Sequence, residues 1–280
     1  MLGDIRRVTI SATELGAIED AYTRFLEYRV SARGFVSAAE AAAWEAPAMA
    51  GAASLTLQPA AASDFEFRFV AGANYPEYVP LTSHGWNASE IMVQNVDAMA
   101  EVVANSPFEI VGEPRNLSFS DDIRAMQLRG PADEIVYLTE FKKPVPGLTV
   151  PTARSAVDRT FIVILGGENM AELQDFYHQT FDVPKAPVVE SRVTMLSKAL
   201  GVSIETLYPI AALGLEGASL IEVDEMPAQV GARMQQDGFL PPGIAIVGFD
   251  CNNVPAHAAG VESTISVMRG ATGELIELFS

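Results

Sequence analysis

Three polar side chains within strand-like runs of this sequence are suited to acid–base chemistry. Glu90, Arg7 and Tyr137 each lie in a run where apolar and polar residues are interleaved. A carboxylate can act as a general base, and a guanidinium and a phenol can donate hydrogen bonds to an anionic or enolate oxygen. These residues are therefore candidates for catalysis by proton transfer. The alternative is a structural Arg–Glu pair that bridges two parts of the fold.

A second group of residues is suited to the wall of a small-molecule pocket. Trp44 lies on an Ala-rich stretch, Trp86 and Asn87 are neighbours in the chain, and Arg68 stands between two phenylalanines. An aromatic-lined cavity with a few polar groups is the usual form of a small-molecule site. All four are candidates for substrate binding. The alternatives are core packing for the tryptophans and a solvated position for Arg68.

The elements that must position these residues are clearest in the middle of the first half. Residues 85–93 alternate apolar and polar side chains, which predicts a strand with one face on a core. Residues 96–104 predict a helix, with Asp97 in its first turn, where a carboxylate suits the helix dipole. Three more strand-like runs follow, separated by Gly and Pro: 108–111, 125–128 and 135–138. The predicted order is β-α-β-β-β.

The same order recurs along the chain. The first and third units begin with a strand and a helix, and each then carries a short extra helix, at 37–44 and at 192–200. The shared extra helix indicates duplication of a unit of about half the chain. The fourth unit, 244–280, has room for barely a turn or two where the others have a helix. We therefore predict four units, of which the last is truncated.

The motifs of the second unit resemble those of a known superfamily. Val-Gln-Asn-Val-Asp-Ala at 93–98 and Gly-Pro-Ala-Asp-Glu-Ile-Val-Tyr-Leu-Thr-Glu-Phe at 130–141 are similar to the vicinal oxygen chelate superfamily, which includes glyoxalases, bleomycin- and fosfomycin-resistance proteins and extradiol dioxygenases. The resemblance implies an α+β fold of tandem βαβββ units with cupped mixed sheets. A break rich in proline at 144–156 predicts two domains of two units each, 1–143 and 157–280.

The resemblance also implies that paired units form a cup in which ligands bind. It places Arg7, Glu90 and Tyr137 together in an N-terminal cup, with Glu90 as base and the other two as donors to an oxyanion. Trp44 and Trp86 would then supply the wall and lid of the same cup. This arrangement predicts a mainly apolar or aromatic small molecule as the ligand.

Metal ligands of the superfamily are typically His or Gln on a unit's first strand and Glu on its last strand. The first-strand positions here hold side chains that are not such ligands: Arg7, Ala88, Ile162 and Ile246. Tyr137 takes one last-strand position, whereas Glu222 and Glu277 match two others. The three histidines lie outside these positions. We therefore expect no metal cofactor, and the alternative is Fe, Mn, Zn or Ni bound by Glu222 and Glu277.

Composition limits the classes of partner. Thirty-six acidic and 18 basic residues give a net charge of −18 without a Lys/Arg cluster, which disfavours nucleic acid and membrane surfaces as partners. Cys251 is the only cysteine, so an intrachain disulfide and a Cys-based metal centre are excluded. The chain lacks a signal-peptide pattern and a long apolar run, which predicts a cytoplasmic protein. The sequence is compatible with a monomer and with a homodimer.

These observations predict a metal-independent, glyoxalase-like protein that binds a small molecule. If it is an enzyme, we expect proton transfer, isomerisation or elimination next to a carbonyl group, as in a lyase or isomerase. One alternative is a non-catalytic protein that sequesters a drug or other ligand, as in the bleomycin-resistance branch; the net charge is compatible with a cationic ligand. The other alternative is a metal-dependent dioxygenase or glyoxalase.

Overall fold

Four successive units of strands and helices make up the chain in a computed structural model that describes residues 1–61, 63–117, 120–144 and 149–280. The first unit contains β1 (Leu2–Ala12), α1 (Leu15–Phe25), β2 (Arg29–Phe35), α2 (Ala38–Ala43), a 3-10 turn (Pro47–Met49), β3 (Ala53–Gln58) and β4 (Glu66–Ala71). The second contains β5 (Gly85–Val93), α3 (Val96–Val103), β6 (Glu109–Leu117), β7 (Ser120–Arg129) and β8 (Ile135–Phe141).

The second half of the chain repeats this plan. The third unit contains β9 (Val157–Gly167), α4 (Met170–Phe181), β10 (Val189–Arg192), α5 (Thr194–Ala199), β11 (Leu207–Gly214) and β12 (Leu220–Glu225). The fourth contains β13 (Gly243–Cys251), β14 (Ala259–Glu262), β15 (Ile265–Arg269) and β16 (Leu275–Phe279). The order of elements confirms the predicted α+β class, the extra helices α2 and α5 and the missing helix of the fourth unit. None of the helices in the described residues is long and apolar enough to cross a bilayer.

Local capping groups fix where three of the helices begin. The side chain of Asn95 accepts a hydrogen bond from the Ala98 backbone N–H at the start of α3, and Asn169 caps α4 in the same way. Ser37 and Glu40 form a reciprocal capping box at the start of α2. Each cap satisfies backbone donors that the first turn of a helix leaves free. The two asparagines therefore set equivalent helices in equivalent units.

The strands form two curled eight-stranded mixed sheets that do not follow chain order. The first sheet has the order β14-β15-β16-β13-β1-β4-β3-β2, and the second has the order β10-β11-β12-β9-β5-β8-β7-β6. The first and fourth units thus join through antiparallel β1 and β13, and the second and third join through antiparallel β5 and β9. We call the concave faces of these sheets the first cup and the second cup.

This pairing corrects the prediction that units pair within 1–143 and within 157–280. Each sheet takes one unit from each of these ranges. Each unit's own alternation of side chains specifies that one strand face is buried, but it leaves the partner strand of the next unit unspecified. Within the predicted linker 144–156, residues 145–148 lie outside the described residues.

Opposite faces of the strands serve different cores. One face packs into a large shared core with α1, α3 and α4, built around side chains such as Tyr22, Phe67, Trp86, Tyr177 and Phe249. The other face lines the cups, each of which has a smaller cluster of its own. Strand side chains alternate between faces, so cup-facing residues occur at every second position. This alternation fixes which polar residues reach a cup.

Two hairpins repeat one buried contact between units. Glu134, in the turn before β8, accepts a hydrogen bond of 2.8 Å from the Tyr22 hydroxyl on α1. Glu274, in the turn before β16, accepts one of 2.9 Å from the Tyr177 hydroxyl on α4. Each glutamate also accepts from a backbone N–H two residues earlier in its own turn. The repetition of a turn, a glutamate and a helical tyrosine supports the predicted duplication.

The buried Glu134 carboxyl makes stability depend on pH. Burial is the largest cause that raises its pKa from 4.5 to about 7, although the Tyr22 hydroxyl lowers it. A carboxyl whose pKa is higher in the folded state stabilises the fold at pH values below its unfolded-state pKa. This contribution, about 3 kcal/mol, is lost as the pH rises through the folded-state pKa. We therefore expect the free energy of unfolding to fall between pH 4.5 and pH 7.

Urea unfolding of the wild type and of Glu134→Gln, at about pH 5 and about pH 8, measures this dependence. The difference in free energy of unfolding between the two pH values should be smaller in the variant, since glutamine does not titrate. An equal difference in both proteins would contradict the assignment. The other buried carboxyls provide the pH dependence that the variant retains.

Candidate functional site

The first cup is closed by an ion-paired arginine. The Arg7 Nε atom lies 2.6 Å from Glu66 Oε1, and Arg7 Nη1 lies 3.2 Å from Glu277 Oε2. The guanidinium also lies 5.0 Å from the centre of the Phe279 ring. Glu277 is 1% exposed, so its charge has Arg7 as its counter-ion. Glu66 and Glu277 therefore both form ion pairs with Arg7.

The rest of the first cup is filled by its own helix. Trp44, at the end of α2, is fully buried in the cluster of that cup. The Arg68 guanidinium lies 5.4 Å from the Trp44 ring centre and forms an ion pair with Glu40 on α2. Arg68 is therefore buried rather than solvated. Together these contacts attach α2 to the sheet and leave the cup packed.

The second cup contains an open cavity of about 230 Å³. Glu90 on β5, Tyr137 on β8 and Glu222 on β12 line it. Glu90 pairs in register with Tyr137 on one side and with Ile162 of β9 on the other. Neighbouring strands lie about 4.8 Å apart, so the carboxyl and the phenol start from adjacent backbone positions. Most of the remaining wall is apolar.

Apolar side chains and two arginines complete this cavity. The sheet contributes aliphatic and aromatic residues, and Val193 and Met195 at the start of α5 cover it from one side. The apolar lining from the sheet consists of Leu117, Ile123, Ala125, Phe141, Ile162, Ile210, Ala212 and Leu220. Arg115 and Arg192 also line it, and Arg192 forms a 2.8 Å ion pair with Glu205. The cavity suits a mainly apolar ligand with a polar end near Glu90.

Burial raises the pKa of each acidic group of the second cup above its ordinary value. Burial is the largest cause that raises the pKa of Glu90 to about 7, the Glu222 charge raises it further, and a 2.6 Å hydrogen bond from the Thr139 hydroxyl lowers it. Burial raises the pKa of Glu222 to about 7 as well. Burial and the Glu222 charge raise the pKa of Asp224 well above its ordinary value. Desolvation disfavours the ionised form of each.

The phenol of Tyr137 is a hydrogen-bond donor in this setting. Burial and then the neighbouring carboxylates raise its pKa well above the ordinary value, although Arg115 lowers it. The phenol therefore keeps its proton at neutral pH. Near it, Gln127 Oε1 and Asp224 Oδ1 are buried without a hydrogen-bond partner within the described residues. Buried acceptors of this kind are costly unless a ligand, water or proton satisfies them.

The structure separates the residues that the sequence grouped in one cup. Glu90 and Tyr137 are brought together, but Arg7 lies on the other sheet, because the first unit pairs with the fourth. The prediction that these three share a cup is therefore wrong. Trp44 and Arg68 lie in the first cup, whereas Trp86 and Asn87 lie where the two sheets meet. Trp86 Nε1 donates to the Leu275 carbonyl at 2.9 Å, and Asn87 Oδ1 accepts from Arg233.

Several polar residues of the second cup were missed by sequence reasoning, among them Arg192 and Thr139. Gln127 and Arg115 lie on β7 and β6, and Asp224 lies two residues after Glu222 on β12. Alternation from Glu222 would have indicated Asp224, since both lie on one strand face. The sequence predicted Glu222 only as a metal ligand together with Glu277, and the two lie in different cups.

The donor sets of the two cups do not fit a transition metal. In the first cup, Arg7 already pairs with Glu66 and Glu277. In the second, Glu90 and Glu222 are carboxyls with a raised pKa and without a nitrogen donor beside them, whereas such metals prefer imidazole in the set. Within the described ranges, no three His, Cys, Asp or Glu side chains are grouped so as to hold a metal ion.

Solved structures share this fold, although no protein-family model and no curated protein sequence matches the chain. Glyoxalase I from Zea mays superposes with a TM-score of 0.66 at 13% sequence identity, covering 99% of this chain and 92% of that chain. A putative dioxygenase from Bacillus subtilis subsp. subtilis str. 168 superposes with a TM-score of 0.64 at 10% identity, covering 99% and 85%. The chain therefore shares its fold with these two structures, which is the fold that the predicted resemblance implies.

Proposed function

We propose that this glyoxalase-like protein binds a mainly apolar carbonyl compound in the second cup and moves a proton next to the carbonyl group. The supporting observation is Glu90, a buried carboxyl on the cavity wall whose pKa is raised to about 7. A general base works best when its pKa lies near the working pH, because it is then both available and basic. A perturbed carboxyl in a largely apolar cavity is the expected sign of such a site.

Three residues of the second cup have separate roles in this reaction: a base, a hydrogen-bond donor and a residue that positions the base. Ionised Glu90 removes a proton from the carbon next to the carbonyl, and the electron pair moves onto the carbonyl oxygen as an enolate. Tyr137 donates a hydrogen bond to that oxygen. Protonated Glu90 then returns the proton to the same carbon or to a neighbouring one, which gives exchange or isomerisation. Thr139, which donates to Glu90 Oε1 at 2.6 Å, holds the carboxyl in place.

The proposed reaction needs no metal. In enzymes that use one, the metal stabilises the enolate oxygen. Here a neutral phenol in a site of low polarity takes that role, since a hydrogen bond is strengthened where water is excluded. The lining of the cavity supports this assignment, because its described residues place no imidazole beside Glu90 and Glu222.

A second candidate function is sequestration of a cationic ligand without chemistry. It is favoured by the two acidic groups that line the cavity, Glu90 and Glu222, neither of which forms an ion pair within the described ranges. A protonated amine in the cavity would favour the ionised form of both carboxyls. Such a ligand would be recovered unchanged, without exchange of its hydrogens.

Deuterium exchange tests the proposed chemistry on a panel of simple ketones, so the natural substrate need not be identified first. Alkyl and aryl ketones that carry a hydrogen next to the carbonyl are incubated with the protein in D₂O, and loss of that proton signal is followed by NMR. We expect exchange of at least one compound above the buffer rate. Ala212→Trp should abolish it, because Ala212 is exposed to the cavity opposite Glu222 and the indole would fill the space.

The matched control is Ala32→Trp, at an exposed strand alanine on the first sheet. This variant should exchange the compound at the wild-type rate. Equal loss in both variants would show that the effect is not specific to the second cup. Absence of exchange across the panel, with tight binding of amines that are recovered unchanged, would instead support sequestration.

A further inference from the structure

A second cavity lies where the two sheets meet, outside the second cup, and it has a volume of about 220 Å³. The starts of β5 and β13 line it, together with the turn before β16 and residues from the segment between β12 and β13. It shares no lining residue with the cavity that contains Glu90. We propose that this junction cavity is a binding site for a small carboxylate, held by Arg233 and His84.

The cation of this site lacks a carboxylate partner. Arg233 donates from Nε to Ser83 Oγ at 2.9 Å, from Nη2 to Asn87 Oδ1 at 2.7 Å and from Nη1 to the Ile244 carbonyl at 2.8 Å. A longer contact of 3.5 Å joins Nη1 to the Pro242 carbonyl. All four acceptors are neutral, and no ion pair of Arg233 occurs within the described residues. The guanidinium also lies 5.7 Å from the centre of the Tyr78 ring, so it is held by neutral groups and has no carboxylate partner in the described part of the chain.

One N–H of Arg233 is left for a ligand. A guanidinium has five N–H donors in a planar fork, and the four contacts above use four of them. The remaining donor is on Nη2. This nitrogen lies 3.9 Å from the point that a Cβ atom would occupy if residue 85 were not glycine. Gly85 is itself part of the cavity lining. A carboxylate in the cavity would therefore meet both the positive charge and a free donor.

His84 brings a second unsatisfied group to the same place. A backbone bridge between Ser83 and Gly231, with a 2.9 Å hydrogen bond from the His84 N–H to the Gly231 carbonyl, sets His84 beside the Arg233 segment. Its Nε2 atom is buried and has no hydrogen-bond partner within the described residues. The imidazole itself lines the cavity, so a carboxylate bound there would favour its protonated form.

The other charged groups at the cavity are already paired. Arg269 forms a 2.7 Å ion pair with Glu45. Glu274 accepts hydrogen bonds from Tyr177 and Thr272, and burial, the largest cause, raises its pKa. The Glu274 carboxyl is therefore already occupied by donors from its own turn and from α4. Arg233 is the cation left for an incoming carboxylate.

The remaining lining selects for a short apolar body. Trp86, Pro241, Ile244 and Leu275 supply apolar surface. The volume is sufficient for a carboxylic acid of a few carbon atoms, whose chain would cover that surface while its head contacts Arg233. Phosphate and sulfate carry charge on all sides and would desolvate poorly against these residues. A short-chain carboxylate fits both parts of the cavity.

Histidine NMR provides the test, since the chain has three histidines and His84→Gln identifies the relevant signal. Burial, the largest cause, lowers the pKa of free His84, and Glu168 and the Val230 carbonyl oppose this shift. Butyrate is added at constant ionic strength up to about 50 mM, which detects even a millimolar site. We expect the pKa of His84 to rise by about one pH unit, since a bound anion favours the imidazolium.

Two comparison ligands, butyramide and phosphate, the other two histidines and two variants decide the outcome. Butyramide, which has the same shape without charge, should leave His84 unchanged, and His178 and His257 should not respond to butyrate. Ala232→Trp, at an exposed alanine of the cavity lining, should abolish the response, and Arg233→Gln should weaken it about tenfold or more. The proposal is overturned by an unchanged His84, by an equal response to butyramide, by a larger response to phosphate, or by a response that persists in Ala232→Trp.

Discussion

Replacement of Arg7 by methionine should lower the free energy of unfolding by about 3–5 kcal/mol. The substitution leaves the Glu277 carboxylate, 1% exposed, without a counter-ion in the first cup, and it also removes the 2.6 Å contact with Glu66. An uncompensated buried charge is far more costly than the net value of the pair. Urea unfolding followed by circular dichroism measures the change.

Arg6 provides the matched control for this prediction. It is the preceding residue and forms an ion pair with Asp250 in which both side chains are more than one-third exposed. Arg6→Met should therefore change the free energy of unfolding by less than about 1 kcal/mol. Addition of Glu66→Gln and Glu277→Gln to Arg7→Met should recover most of the loss, because no buried charge is then left. If Arg7→Met were as mild as Arg6→Met, the first cup would not depend on this ion pair.

Replacement of Glu90 by glutamine should reduce the rate of proton exchange by about 10²- to 10⁴-fold. Glutamine keeps the shape of the side chain and can still bond to Thr139, but it cannot accept a proton from carbon at neutral pH. The free energy of unfolding should not fall, because the substitution removes a carboxyl that is costly to ionise when buried. The exchange rate in D₂O is measured on the compound that the wild type turns over.

Glu134→Gln is the control for this substitution. Glu134 is also buried, at 1% exposed against 9% for Glu90, and also has a pKa of about 7, but it contacts Tyr22 outside the second cup. Its replacement changes the same chemical group in a similar environment, so the exchange rate should stay at the wild-type value. A loss of exchange in Glu134→Gln as large as that in Glu90→Gln would show that the effect is one of stability rather than of chemistry.

Most elements of the fold were predictable from the sequence because they depend on local patterns. Strands β2 and β10 were not predicted, since most of their residues are exposed and show no alternation of buried and exposed positions. Alternation indicates strand β5, and helical spacing indicates α4. Asn95 lies where α3 begins, and Asn169 lies where α4 begins. The short extra helices and the truncated fourth unit are also apparent from composition and spacing. Each of these features is specified within ten to twenty residues of the chain and does not depend on distant contacts.

The grouping of site residues depends on distant contacts, and its prediction was therefore only half correct. Glu90 and Tyr137 belong to one unit, and the parallel pairing of β5 with β8 brings them together. The prediction placed Arg7 with Glu90 and Glu222 with Glu277, whereas in the structure Arg7 shares a cup with Glu277 and Glu222 shares one with Glu90. The reason is that the partner of each unit is set by the β1–β13 and β5–β9 contacts. Each of these contacts is an antiparallel pairing between the first strands of two units, and a strand edge does not specify which of the other first strands it pairs with. The cavity that depends on them could not be located without the sheet order.

The dependence of the exchange rate on pH tests the central claim most directly. Glu90 must be ionised to act as a base, and its pKa is raised to about 7 by burial. The account predicts a rate that rises with pH through about 7 and then levels off, with this ionisation absent from the residual rate of Glu90→Gln. A rate that is constant across this range, or that changes only near 4.5, the ordinary value for glutamate, would contradict it.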